Sequence, residues 1–144
     1  MGKSSFRRRQ HGYRHGYRSG LEEEMSDLLR SRGVPFTYEP FKIDYVQPEQ
    51  KRKYTPDFVL PNGIIIETKG IFSSDDRKKH LLIKKQMPHL DIRFVFSNAN
   101  ARIYKGAKTR NRDWCDKHGF QWAHRTIPKA WLRERKRPER MFKP

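Results

Sequence analysis

Two hydrophobic periods succeed each other along this chain. From Ser19 onward, Leu21, Met25, Leu28 and Leu29 recur at helical spacing, and Gly33 follows as a natural stop. Ser19 and Glu22 also have the spacing of a capping box, in which the N-cap hydroxyl bonds one free backbone N–H and the carboxylate three residues on bonds another. On that helix alone, capping is the default role of Glu22. The segment PFTYEPFKIDYV at 35–46 then alternates, with Phe36 and Tyr38 in one phase and Phe41, Ile43 and Tyr45 in the other. The phase break at Pro40 predicts a bulge or bend. QPEQKRK at 47–53 is polar and interrupted by Pro48, which reads as an extended connector. Strands follow near 54–60 and 64–69, around the turn Pro61-Asn62-Gly63.

The second half repeats the alternation of element types. Ser74 is a candidate N-cap, Asp75 and Asp76 occupy the first turn of a helix, and Pro88 marks its end. DIRFVFS at 91–97 is a strand, RIYKG a possible short strand, NRDWCDKHG a short helix stopped at Gly119, and FQWAH another strand. IPKAWL makes a final turn. The order α-β-β-β-α-β, then β-α-β, predicts an α/β fold with a mixed central β-sheet flanked by helices.

The hairpin at 54–70 carries charge where a packed strand should be apolar. If Pro61, Asn62 and Gly63 form a three-residue loop, Leu60 pairs with Ile64 and Phe58 with Ile66, so Asp57 sits opposite Glu67. Side chains alternate along a strand, which puts Thr55 and Lys69 on that face and Phe58, Leu60, Ile64 and Ile66 on the other. A two-residue Asn62-Gly63 loop would instead pair Asp57 with Thr68 and separate the acids. Opposed carboxylates about 5 Å apart at Cβ repel when ionised. A shared proton, a neighbouring cation such as Lys69, or a metal ion relieves that repulsion. A charge cluster at a sheet edge would use the second. Adjacent carboxylates with nearby carbonyls also make an all-oxygen site of the kind that holds Mg²⁺. Lys69 could then stabilise a pentavalent phosphate or orient a water, which is the chemistry of phosphodiester hydrolysis.

Charge decides what such a site would act on. The 144 residues carry 33 Lys and Arg against 16 Asp and Glu, a net +17, which points to a polyanion and most often to nucleic acid. The excess sits at the ends: residues 1–18 hold six basic residues and no acid, and residues 125–144 hold eight against two. The length suits one domain. Cys115 is the sole cysteine, so no intramolecular disulfide or cysteine-based zinc site is expected. With no 18-residue apolar run and no signal-peptide pattern, the expectation is a soluble cytoplasmic chain, not secreted and without a membrane partner.

Pro56-Asp57 followed by Glu67-Thr68-Lys69 is similar to the Pro-Asp…(Asp/Glu)-x-Lys signature of restriction-endonuclease-like nucleases, and the α-β-β-β-α-β order resembles their shared core. RSGLEE, YTPDFVLPNGIIIETKG and SDDRKKHLLIKKQMPHLDIRFVFS extend the likeness. These stretches resemble the bacteriophage endonuclease I family of Holliday-junction resolvases from about residue 18 to 131. The resemblance implies that Asp57 and Glu67 coordinate divalent metal, that Lys69 is the catalytic lysine, and that Glu22 in SGLE supplies a further acid, beside any capping role. It implies Mg²⁺ as cofactor, with Mn²⁺ able to substitute, and no small-molecule cofactor. It also implies an element-swapped homodimer acting on branched double-stranded DNA, so that each site combines Glu22 of one chain with Asp57, Glu67 and Lys69 of the other. If the chain is phage-encoded, it would work inside the host cell.

The expected organisation is a flexible basic arm at 1–18, a nuclease domain at 19–131 with a bridging segment at 44–53, and a basic tail at 132–144. Candidate DNA contacts are Arg7, Arg8, Arg9, Arg77, Lys78, Lys79, Arg133, Arg135, Lys136 and Arg137. His80 reads as a helix-surface histidine, Trp114, Trp122 and Trp131 as core or interface packing, and Cys115 as a small buried residue. Two alternatives stand beside the resolvase reading: a mismatch-nicking or restriction-type nuclease of the same superfamily, and a non-catalytic basic protein that binds nucleic acid and whose acids are structural.

Overall fold

The computed structural model describes residues 18–47 and 50–142, and the chain divides after Pro35 into two compact units. Arg7, Arg8 and Arg9, with most of the proposed N-terminal arm, lie outside the described residues. No helix among the described residues is long and apolar enough to cross a membrane.

In the first unit, helix α1 spans Gly20–Ser31. Ser19 is its N-cap: the extended serine accepts the Glu22 N–H at 3.1 Å, satisfying one of the donors that a helix start leaves free. Glu22 and Glu23 lie in the first turn and Arg30 in the last, each at the end its charge favours. Gly33 ends the helix at φ +65°, with its N–H donating to the Arg30 carbonyl.

The second unit holds β1 (Thr37–Tyr38), β2 (Ile43–Gln47), β3 (Gln50–Tyr54), β4 (Phe58–Val59), β5 (Ile65–Lys69), α2 (Ser74–Gln86), β6 (Ile92–Phe96), α3 (Asn111–His118), β7 (Trp122–His124) and α4 (Lys129–Arg133). Five strands form a mixed sheet in the order β1-β4-β5-β6-β7. The first two pairings are antiparallel, and the β5–β6 and β6–β7 pairings are parallel. The parallel neighbours are joined through α2 and α3, as parallel strands require a long crossover. The expected mixed α/β architecture is therefore present.

Burial on both faces explains why four of the five β6 residues are apolar; all five are buried, Arg93 included. On one face Ile65, Phe94 and Phe96 pack with Phe72, Ile83, Trp114 and Phe120. On the other lie Phe58, Ile64 and Ile66 with the fully buried Arg93. The Arg93 guanidinium is satisfied by the Asp91 and Glu134 carboxylates, and Arg140 joins the same two acids. Hydrogen bonds from Arg93, then Arg140, hold the Glu134 carboxyl down to about 2. Part of the basic C-terminal tail is thus tied to the end of β6.

The phase break appears where expected: β1 ends at Tyr38, Glu39 takes φ +43°, and β2 resumes at Ile43. Three local expectations change. Residues 50–53, within the segment 47–53 read as a connector, form β3 together with Tyr54 in an antiparallel hairpin with β2, because Tyr54 is fully buried and anchors one end. Val46 also exchanges backbone hydrogen bonds with the Gln86 side-chain amide at the end of α2. Ser73, and not Ser74, caps α2, since only that spacing puts Asp76 where its carboxylate can return a bond to the cap N–H. RIYKG makes only an isolated bridge between Arg102 and Arg110.

The turn register is the one that opposes the acids. Phe58 pairs with Ile66 and Val59 with Ile65, while the Leu60 N–H donates to the Ile64 carbonyl at 2.9 Å. Gly63 sits at φ +91°, and a Cβ there would lie 2.8 Å from Met141 Sδ. Only glycine meets both demands. Asn62 fixes the loop further, its amide donating to the Trp131 and Glu134 carbonyls.

Glu134→Ala should leave the Arg93 and Arg140 guanidinium groups to share the Asp91 carboxylate. Breaking a buried ion pair from one side typically costs about 3 kcal/mol or more, so the urea midpoint of the variant should fall clearly below wild type. An unchanged midpoint would show that the cluster contributes nothing to stability.

Candidate active site

Asp57 and Glu67 meet where the β4–β5 ladder ends. Beyond the Phe58–Ile66 pair, side chains take over from backbone partners. The Asp57 N–H donates to Glu67 Oε2 at 2.9 Å, and the Thr68 N–H and Oγ1 both donate to Asp57 Oδ2 at 2.9 Å. Each carboxylate is therefore gripped by the opposite chain segment. The crossed bonds fix two acids that would otherwise repel.

Both acids are almost fully buried, Asp57 at 9% and Glu67 at 3% exposure. Burial, and then the Glu67 charge, pushes the Asp57 carboxyl up to about 7. Burial also raises Glu67, against the opposing pull of the Lys69 ammonium and the Asp57 N–H. Two carboxylates in so dry a place favour a bound cation as counter-charge. The donor set is all oxygen, which suits a hard divalent ion. Asp57 and Glu67 could hold such an ion.

Lys69 follows Glu67 by two on β5 and so shares its face. Its ammonium lies 3.3 Å from Asp76 Oδ1. Burial would raise the Asp76 pKa, but Lys69 and the Ser73 bonds outweigh it and hold the carboxyl below its ordinary value. One carboxylate thus caps α2 and restrains the lysine.

His80 departs from its expected place on a helix surface. It is fully buried, with Nε2 3.6 Å from Glu67 Oε1. The helix has little apolar periodicity at this point, so the sequence pattern alone assigned the wrong face. Burial, followed by the charges of Lys69 and Lys79, holds its pKa well below the ordinary value. Tyr54 reaches the same carboxylate from β3. Its hydroxyl is buried beside that carboxylate, and burial, then the Glu67 charge, raises its pKa.

Sequence reading also missed Glu39. At the phase break, its N–H donates to the Asp57 carbonyl at 3.2 Å, and a carboxylate oxygen lies within 4.8 Å of one on Asp57. An unusual backbone turn at φ +43° was the signal, but it shows in the alternation only as a change of phase.

Glu22 lies in the first turn of α1 in the other unit, with its N–H on the Ser19 hydroxyl. Among the candidate DNA contacts, the Arg77 guanidinium donates to the Phe72 and Ile103 carbonyls, which joins two loops. Lys78 is exposed, and Lys79 places its ammonium 5.3 Å from the Tyr54 ring centroid. Lys78 and Lys79 line a groove with Arg52, Tyr45, Asp75 and Asp76. Arg133, Arg135, Lys136 and Arg137 are exposed, whereas Arg140 of the same tail is buried. Trp114 and Trp131 are buried and Trp122 partly so, in keeping with packing, and Cys115 is fully buried.

Comparison with known proteins bears on what this arrangement does. Residues 1–143 match the family described as Phage endonuclease I. The chain is 52% identical over 119 residues to Endonuclease I of Escherichia phage T7, covering 83% of this chain and 80% of that protein. It is 55% identical over 119 residues to Endodeoxyribonuclease 1 of Enterobacteria phage T3, covering 83% and 78% respectively.

The raised carboxyl has a stability consequence with a definite sign. In metal-free protein, the unfolded Asp57 releases its proton near the ordinary 3.8, while the folded one keeps it until about 7. Between those values the folded state binds more protons, so this residue lowers stability as pH rises. Asp57→Asn should therefore be increasingly more stable than wild type from about pH 4 to pH 7, by on the order of 4 kcal/mol at the top, and level above. Thermal unfolding in chelator across that range checks it; a pH-independent difference would refute the raised carboxyl.

Proposed function

This chain belongs to the phage endonuclease I family, and we propose that it is a divalent-metal-dependent, structure-selective DNA endonuclease. Its substrates in this reading are four-way (Holliday) junctions and other branched DNA, cut by paired phosphodiester hydrolysis. The observation that carries the reading is the crossed clamp of Asp57 and Glu67 with Lys69 beside it on β5. Family membership supports the deoxyribonuclease activity. The acid pair supplies the place for it.

Asp57 and Glu67, with Glu22, are the metal-holding acids, for Mg²⁺ with Mn²⁺ as substitute. The ion would neutralise charge on the scissile phosphate and favour deprotonation of the attacking water. Lys69 carries a further positive charge toward the phosphate as it gains charge in the transition state. Burial of both acids excludes bulk water, which strengthens each of these interactions. Thr68 and the residue 57 backbone hold the carboxylates in place before substrate arrives, so little reorganisation is needed during reaction.

A four-way junction has paired strands to cut, which suits a two-fold homodimer. In the proposed assembly, residues 44–53, which pair as a hairpin within the single chain, would instead bridge exchanged halves, and Glu22 of one chain would complete the site of the other. Selection is by the shape of the branch, with basic residues on phosphates. Lys78, Lys79, Arg133, Arg135, Lys136 and Arg137 support this on the described surface, together with Arg7, Arg8 and Arg9 in the sequence.

A synthetic four-way junction tests the reading. Wild type should make Mg²⁺-dependent paired nicks near the branch point, and Glu67→Gln or Lys69→Ala should abolish cutting with junction affinity largely retained. Sequence-dependent cutting of linear duplex would favour a restriction-type nuclease, and wild-type cutting by Asp57→Ala would refute the assigned site. Mixed dimers of Glu22→Ala and Asp57→Ala chains should recover about half of the sites, as expected when each site draws on both subunits. No recovery of nicking would count against the exchange.

A further inference from the structure

We propose that His80 is a positioning residue for Glu67, giving its ring N–H to the carboxylate when a divalent cation engages the acid pair. The inference rests on the metal-site reading above and adds a residue to it. His80 is fully buried, and neither ring nitrogen has a hydrogen-bond partner among the described residues. Leaving a buried polar group unsatisfied is destabilising. An apolar side chain would fill the same volume without that penalty, so packing alone does not account for an imidazole here.

The geometry gives the unused donor a direction. Nε2 lies 3.6 Å from Glu67 Oε1, a few tenths of an ångström beyond a hydrogen bond. The Tyr54 and Phe94 rings meet the imidazole edge-on, at centroid distances of 5.4 and 4.9 Å. They hold the plane of the ring while a small turn of the carboxylate closes the gap. Oε2 is already held by the Asp57 N–H, so a bond from His80 to Oε1 would fix both oxygens of Glu67.

The element that carries His80 already has this task toward the neighbouring residue. Asp76, one helical turn earlier on α2, restrains Lys69. Residues four apart share a helix face. One face of α2 therefore addresses both Glu67 and Lys69, with Asp76 acting on the ammonium and His80 on the carboxylate.

The test separates positioning from packing by using a readout other than cleavage. Mn²⁺ binding to the full chain without DNA is measured by calorimetry for wild type, His80→Phe and His80→Gln, with thermal unfolding as the folding check. His80→Phe keeps an aromatic ring but has no N–H to give, and should bind Mn²⁺ about 10–100-fold more weakly, as loss of outer-shell partners typically does. His80→Gln, which can place an amide N–H near the same point, should recover most of that loss. Unchanged affinity in His80→Phe, or equal weakness in both variants, overturns the proposal. If His80→Phe does not fold, ¹⁵N spectra of the wild-type ring decide: addition of Mg²⁺ should shift the Nε2 signal, with no such shift in Asp57→Asn, and an unmoved signal overturns it. A wild-type chain that takes up no Mn²⁺ would sink the metal reading itself, which distinguishes that failure from this one.

Discussion

The site depends on a pair of crossed hydrogen bonds. Asp57 gives its N–H to Glu67 and receives the Thr68 N–H on its own carboxylate. At this point the β4–β5 ladder stops exchanging backbone bonds and begins exchanging backbone for side chain. That substitution lets two acids occupy a position where a buried strand would normally place apolar residues. It also keeps them close enough for burial and mutual repulsion to raise the Asp57 pKa to about 7. Geometry and charge are consequences of one arrangement.

Everything that fixes the hairpin register therefore fixes the chemistry. Gly63 allows the turn, Asn62 ties it to the carbonyls of Trp131 and Glu134, and the apolar face of Phe58, Ile64 and Ile66 holds the strands in phase. A slip of one residue would exchange the faces and send Glu67 into the core beside Arg93. The ion cluster of Arg93, Asp91, Glu134 and Arg140 braces the opposite face of the same sheet. Helix α2 closes the near face, where its capping carboxylate also restrains Lys69.

The basic character of the chain takes two forms in the structure. Arg93, Arg140 and Arg77 spend their donors inside the protein, on carboxylates or carbonyls, and serve the fold. Lys78, Arg133, Arg135, Lys136 and Arg137 remain at the surface, where a polyanion can reach them. Composition counts these groups alike. A net charge of +17 thus indicates the kind of partner, while the packing separates the cations available to it from those already engaged.

The sequence by itself determined the class of fold, the helix starts to within a residue, and the presence of Lys69 on the face of Glu67; it left two turns open, and the strand register of the structure decided for the one that opposes Asp57 and Glu67. These follow from local rules: strand side chains alternate, serine caps the starts of α1 and α2, and glycine permits a positive φ. Tertiary structure alone decided that residues 50–54 form a strand, that His80 and Tyr54 are buried against Glu67, that Glu39 turns toward Asp57, and that Arg140 is bound within the fold. Each of these depends on contacts between residues far apart in the chain or on which side of a helix meets the sheet. A polar residue in a polar stretch carries no periodic mark of burial, because its partner, and not its own type, determines where it goes.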